Sequence, residues 1–184
     1  MNAQTVAAER YSTVSIWFHW IIAALVLFNI IVGILHDSVP ALRKLMGAHM
    51  ALGMLVLVLT LARIAWRLAH PAPPFTEAVT GWERTTAKTV RFIFYALLLI
   101  MPLTGWIMVS NGRHPHPINW FGLFNIPELS LSPAAGGSAH SIHVVLGFAF
   151  AALVVLHVAG ALRHHLLLRD SVLGRMIPGL APRR

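Results

Sequence analysis

The chain has 184 residues, 57% of them hydrophobic and only 11% charged, with a mean hydropathy of +0.71, which is more apolar surface than one water-soluble core of this length can hide. Its formal charge of +8 does not describe a nucleic-acid binder, because the basic residues stand at the ends of apolar runs instead of forming a stripe with interleaved aromatics. The lack of cysteine excludes disulfides, thiolate-held iron–sulfur clusters and covalent attachment through a C-x-x-C-H motif.

In chain order the sequence predicts a single membrane domain over residues 1–184 with four spans. Residues 1–14 are short and polar. The first span, about 15–35, has an apolar part longer than a signal-peptide core and no small-x-small site after it, so it reads as a retained helix. The second, about 46–68, follows a link holding Pro40, Arg43 and Lys44. Next comes HPAPPFTEAVTGWERTTAK, a breaker-rich loop whose prolines after His70 forbid helix continuation. The third span, about 90–110, contains Pro102 and Gly105, which a membrane bundle tolerates. A Gly- and Pro-rich loop at 111–139 carries an interfacial patch at Ile118 to Phe121. The fourth span, about 141–168, completes an all-α integral membrane fold.

Lys and Arg set the expected orientation. Arg10, Arg63, Arg67, Arg84, Lys88, Arg91, Arg163, Arg169, Arg175, Arg183 and Arg184 fall on the side of the termini, against Arg43, Lys44 and Arg113 on the other. By the positive-inside rule both termini are cytoplasmic.

Four histidines then sort by depth. His143 and His157 are fourteen residues apart in the last span, four helical turns less about 40°, so they share a face about 21 Å apart along the axis. His19 in span one matches the level of His157, and His49 in span two matches His143. Two His–His pairs at two depths are what two bis-histidine b-type haems require, one neutral imidazole on either side of each iron. The expected fold is thus a four-transmembrane-helix bundle enclosing two non-covalent b-type haems.

Neighbouring residues extend the expectation. Gly53 and Gly147 lie one turn beyond His49 and His143 and leave flat patches for a macrocycle, and Gly33 puts a small residue on span one at the outer level. Arg63 and Arg67 lie within about 40° of the His49 face at the cytoplasmic end, where they are candidates to pair with haem propionates. His164, one heptad beyond His157, is a candidate contact for a quinone headgroup. His36, His70 and His165 read as interfacial or loop residues, His140 points off the ligand face, and His114 and His116 lack a third ligand and receive no metal.

WFHW around His19, GAHMALG around His49, RIAWR followed by HPAPP, and H-x13-H ending in LRHH together resemble the small bacterial cytochrome b561 family over nearly the whole chain. The resemblance implies a di-haem b cytochrome of the bacterial inner membrane, with axial pairs His19/His157 and His49/His143. It further implies electron transfer between an outer-face one-electron donor and ubiquinone. Some members of that family oxidise superoxide. The net positive outer face, Arg43, Lys44, Arg113, His114 and His116 against Asp37 and Glu128, suits a small anionic donor. Two other readings stay open: a cytochrome b membrane subunit of a hydrogenase or formate dehydrogenase complex, and a haem-free transporter or structural protein.

Overall fold

A computed structural model describes residues 11–71, 73–74 and 81–177. Arg10, Arg183 and Arg184 of the charge count lie outside the described residues, as do most of the polar N-terminal stretch and much of the HPAPP loop. The molecule is mostly helical, with helices α1 (Thr13–Leu35), the single turn α2 (Pro40–Arg43), α3 (Met46–Ala69), α4 (Gly81–Ser110) and α5 (Pro133–Arg163). Chain α5 continues through a π-helical turn at His164–Leu168, and a 3-10 turn follows at Leu173–Arg175. Four of these helices are long and apolar enough to cross a membrane, which makes this a multi-pass membrane protein.

The helix starts follow local chemistry. Ser12 caps α1 by accepting from the Ser15 amide at 3.3 Å, and Ser132 caps α5 by accepting from Ala135, with Pro133 preset for the first helical position. Two helices outrun the spans read from hydropathy. α4 begins at Gly81, within the polar run GWERTTAK that the sequence reads as loop, and α5 begins at Pro133, where the sequence predicts loop up to Ala139. Both extensions are too polar or too glycine-rich to register as membrane-spanning, but a cap or a partner is enough to make them helical. Glu83 in the first turn of α4 is one such partner, 3.3 Å from Arg163 at the end of α5.

The long loop after α4 is also more ordered than its composition suggests. Strands β1 (Ile118–Trp120) and β2 (Phe124–Ile126) pair antiparallel in the register Ile118 to Ile126. Their turn places Phe121 and Gly122 at positive φ, and Asn119 Oδ1 accepts from the Gly122 amide at 2.7 Å. Asn111 ties the loop down by donating to Leu129 O and accepting from the Leu131 amide. The interfacial patch of the sequence reading is thus a hairpin, with Ile118 buried and β1 against α3.

α1 packs on α3, α3 on α4 and α4 on α5, whereas α5 approaches α1 only sparsely. The apolar centre is formed by Ile22, Val26, Val56, Leu97, Leu98 and Phe150, at mid-height of the bundle. We call the end holding Tyr11, Pro74, Gly81 and Ile177 the terminal end, and the opposite one the hairpin end.

Candidate functional site

Residues far apart in sequence meet in two places. The rings of His19 on α1 and His157 on α5 have centres 6.3 Å apart at an interplanar angle of 71°; those of His49 on α3 and His143 on α5 are 6.2 Å apart at 74°. The first pair lies toward the terminal end and the second toward the hairpin end, with Phe150 midway between the two on α5. Each pair joins α5 to a helix that does not pack closely against it, so the bundle is slack where the imidazoles face one another.

The hairpin-end pair is seated by backbone groups. His49 Nδ1 lies 3.1 Å from Asn29 O, and a Cβ on Gly33, one turn further along α1, would stand 3.1 Å from His49 Cε1. On α4 the arrangement repeats: His143 Nδ1 lies 3.1 Å from Met101 O, and a Cβ on Gly105 would stand 3.3 Å from His143 Cε1. A carbonyl at position i and a glycine at i+4 therefore form a slot for each ring. Thr104 donates its hydroxyl to Met101 O at 2.9 Å, and its oxygen accepts from His143 Nδ1 at 3.0 Å. Carbonyl oxygens only accept, so Nδ1 of both rings carries the proton and Nε2 keeps its lone pair for a metal.

At the terminal-end pair the neighbours are aromatic. Trp20 packs edge-on to His19 at 5.3 Å and Phe94 to His157 at 5.1 Å, while His157 is exposed along the bundle flank. Beyond the pair a small pocket is lined by Tyr11, Ser15, Arg63, Arg67, Tyr95 and Met176. The Arg63 guanidinium lies 5.8 Å over the Tyr95 ring and Arg67 5.1 Å over Tyr11, and Arg63 is within electrostatic reach of both His19 and His157.

The other residues singled out by sequence take several places. Gly53 faces open space, since an added Cβ would meet nothing within 4 Å, and Gly147 faces Met101. His164 begins the π-helical turn and donates from Nδ1 to Asp170 at 2.5 Å. His36 binds Gly33 O and lies 3.5 Å from Asp37, and His70 stacks on Trp66. Sequence reasoning missed Asn29, Met101 and Gly105, which act through backbone atoms or the lack of a side chain, and Thr104, which acts through its hydroxyl; the only signal was the i, i+4 spacing of Asn29–Gly33 and Met101–Gly105. It also missed Tyr11, Ser15, Tyr95 and Asp170.

Four spanning helices with imidazoles facing one another at two depths, between α5 and its neighbours, define a multi-pass membrane protein with two histidine pairs inside the bundle. The chain belongs to the prokaryotic cytochrome b561 family, whose model matches residues 10–179. It is 27% identical to cytochrome b561 homolog 2 of Escherichia coli, with 92% of each chain covered. It is 26% identical to the probable superoxide oxidase CybB of Yersinia pestis, over 92% of this chain and 97% of that one. With cytochrome b562 of Cereibacter sphaeroides the identity is 30%, over 91% and 94%. Membership implies b-type haem and an oxidoreductase, and the haem-free readings fall with it.

The residues fit that cofactor. Iron held between two imidazole nitrogens at about 2 Å each puts the ring centres about 6 Å apart, the separation seen in both pairs. Among the described residues no three His, Cys, Asp or Glu converge; the histidines meet in twos, the number an iron needs when a porphyrin supplies its other four nitrogens.

Proposed function

We propose that this chain is a single-domain, transmembrane di-haem b cytochrome that carries electrons from a one-electron donor at the hairpin end to ubiquinone. The observation that carries the reading is the pair of imidazole pairs, each with the spacing of one six-coordinate iron. His19 with His157, and His49 with His143, would hold the two haem irons. Haem b, when bound, supplies reversible one-electron chemistry at each depth. The chain's own part is orientation and exclusion of water. Asn29, Met101 and Thr104 fix the tautomer of the hairpin-end ligands. Gly53 would leave space for the macrocycle's face, Gly147 gives room to Met101, and the apolar layer around Phe150 keeps the interval dry. Arg63 and Arg67 would pair with propionates at the terminal end.

The reading puts both termini in the cytoplasm and the protein in a bacterial inner membrane, and the basic residues at the terminal end support that orientation by the positive-inside rule. The donor is superoxide at the outer face, a reading supported by the relative described as a probable superoxide oxidase and by the positive charge near the hairpin end. Two superoxide ions lose one electron each to become two O2, and one quinone takes two electrons and two protons. His164, held by Asp170, is the candidate contact for the quinone headgroup.

Stopped-flow mixing of the purified protein with superoxide tests the reading. Two haems per chain by pyridine haemochrome, fast appearance of reduced α-bands, and their decay on adding ubiquinone are the expected results. Bands that stay oxidised under superoxide remove the donor assignment.

A further inference from the structure

After α5 the chain reverses over the terminal end. Arg169 takes a left-handed conformation (φ 53), the Asp170 amide donates to His164 O at 3.2 Å, and the Asp170 carboxylate accepts from His164 Nδ1 and from the Val172 amide at 3.0 Å. These bonds fix one route for residues 169–177. The returning segment is held at its far end too: Trp20, next to His19, donates its indole N–H to Met176 O at 2.8 Å, and Arg175 donates to Pro74 O at 2.9 Å. Arg175 is only 8% exposed, with its guanidinium 5.5 Å over the same Tyr11 ring that Arg67 covers at 5.1 Å. Met176 lines the pocket of Arg63 and Arg67. Two guanidinium groups from α3 thus line one pocket beside His19, and a third, from the returning tail, lies against the Tyr11 ring that forms part of its wall. Gathering like charge there raises its potential for an anion.

We infer that residues 169–177 form a strap that closes the terminal side of the His19/His157 site, and that Arg175, delivered by this strap, is a positioning residue that joins Arg63 and Arg67 in holding the anionic edge of the group bound there. This rests on the reading of His19 and His157 as haem ligands. The His164–Asp170 bond is then the buckle of the strap. Positive charge beside a haem stabilises its reduced, less positive state, so the strap raises the potential of the terminal-end haem and leaves the hairpin-end haem, about 21 Å away along α5, almost untouched.

Equilibrium redox titration of the purified full-length protein, following both α-bands, tests this. Arg175→Gln and Asp170→Asn are each expected to lower one of the two midpoint potentials and leave the other in place, while Arg175→Lys, which keeps the charge, stays near wild type. Trypsin gives a readout independent of haem: cleavage after Arg169 and Arg175 is expected to be several-fold faster in Asp170→Asn than in wild type, as the buckle opens. Two potentials unmoved by Arg175→Gln, both moving together, or tail cleavage unchanged in Asp170→Asn would each overturn the proposal. A wild-type protein with fewer than two haems by pyridine haemochrome overturns the two-haem reading beneath it, an outcome separable from all the others.

Discussion

His49 and His143 show how much the seat of a buried ring can owe to backbone. Each ring lies against a carbonyl and a glycine on a neighbouring helix, so the sensitive positions are the ones with nothing to mutate away. Gly33→Ala adds a methyl 3.1 Å from His49, and its overpacking cost is offset by a helix-propensity gain of up to about 1 kcal/mol. Gly33→Val adds bulk that the ring must yield to, at about 1–3 kcal/mol. The expected outcome is a nearly normal haem content in the alanine variant and loss of about one haem of two in the valine variant, counted as pyridine haemochrome. Gly53 tests the macrocycle's position in the opposite sense. The polypeptide leaves its Cβ space open, so Gly53→Val should leave the helices intact by circular dichroism yet release haem if a porphyrin lies there; full haem retention would place the porphyrin elsewhere. The histidines were legible because a long spacing on a strongly periodic helix survives translation into space. Their seats were not, because a carbonyl has no letter in the sequence.

At the scale of the helix, α5 is the shared wall of both sites, and its register is the device that keeps His143 and His157 on one face. One alanine inserted after Phe150 would turn His157 by about 100° relative to His143 and shift it by about 1.5 Å. The expected result is a protein that still inserts but binds one haem, whereas exchanging Ala151 for Leu without insertion should keep two. Absorbance after dithionite reduction distinguishes them. The four spans were readable from hydropathy because lipid demands about 20 apolar residues of any crossing helix. The polar first turns of α4 and the glycine-rich start of α5 were not, since their helicity depends on Glu83 meeting Arg163 and on Ser132 capping Ala135, contacts that hydropathy does not record. The hairpin at 118–126 escaped for a related reason: its turn is built on Phe121 at positive φ, a conformation that a bulky residue rarely adopts and sequence does not announce.

For the molecule as a whole, orientation decides which face meets which reactant. A chain without cysteine accepts single reporters cleanly: with both termini cytoplasmic, a membrane-impermeant maleimide applied to spheroplasts should label His114→Cys and not Ser171→Cys, and the reverse pattern would invert the electron path. Given that orientation, Arg43, Lys44, Arg113, His114 and His116 outweigh Asp37 and Glu128 on the outer face. A positive field around a narrow target speeds the approach of a small anion, and because these groups are at the surface the gain is screened over a Debye length of about 10 Å at 0.1 M salt. Superoxide-driven haem reduction should therefore slow several-fold between about 10 mM and 0.5 M salt, and the double variant Arg43→Glu/Arg113→Glu, which turns this face net negative, should be slower at low salt and gain rate as salt rises. Reduction by a neutral donor, measured in the same stopped-flow cell, should be indifferent to both changes. A superoxide rate equally indifferent would mean that these charges serve membrane topology alone and give the donor no electrostatic guidance.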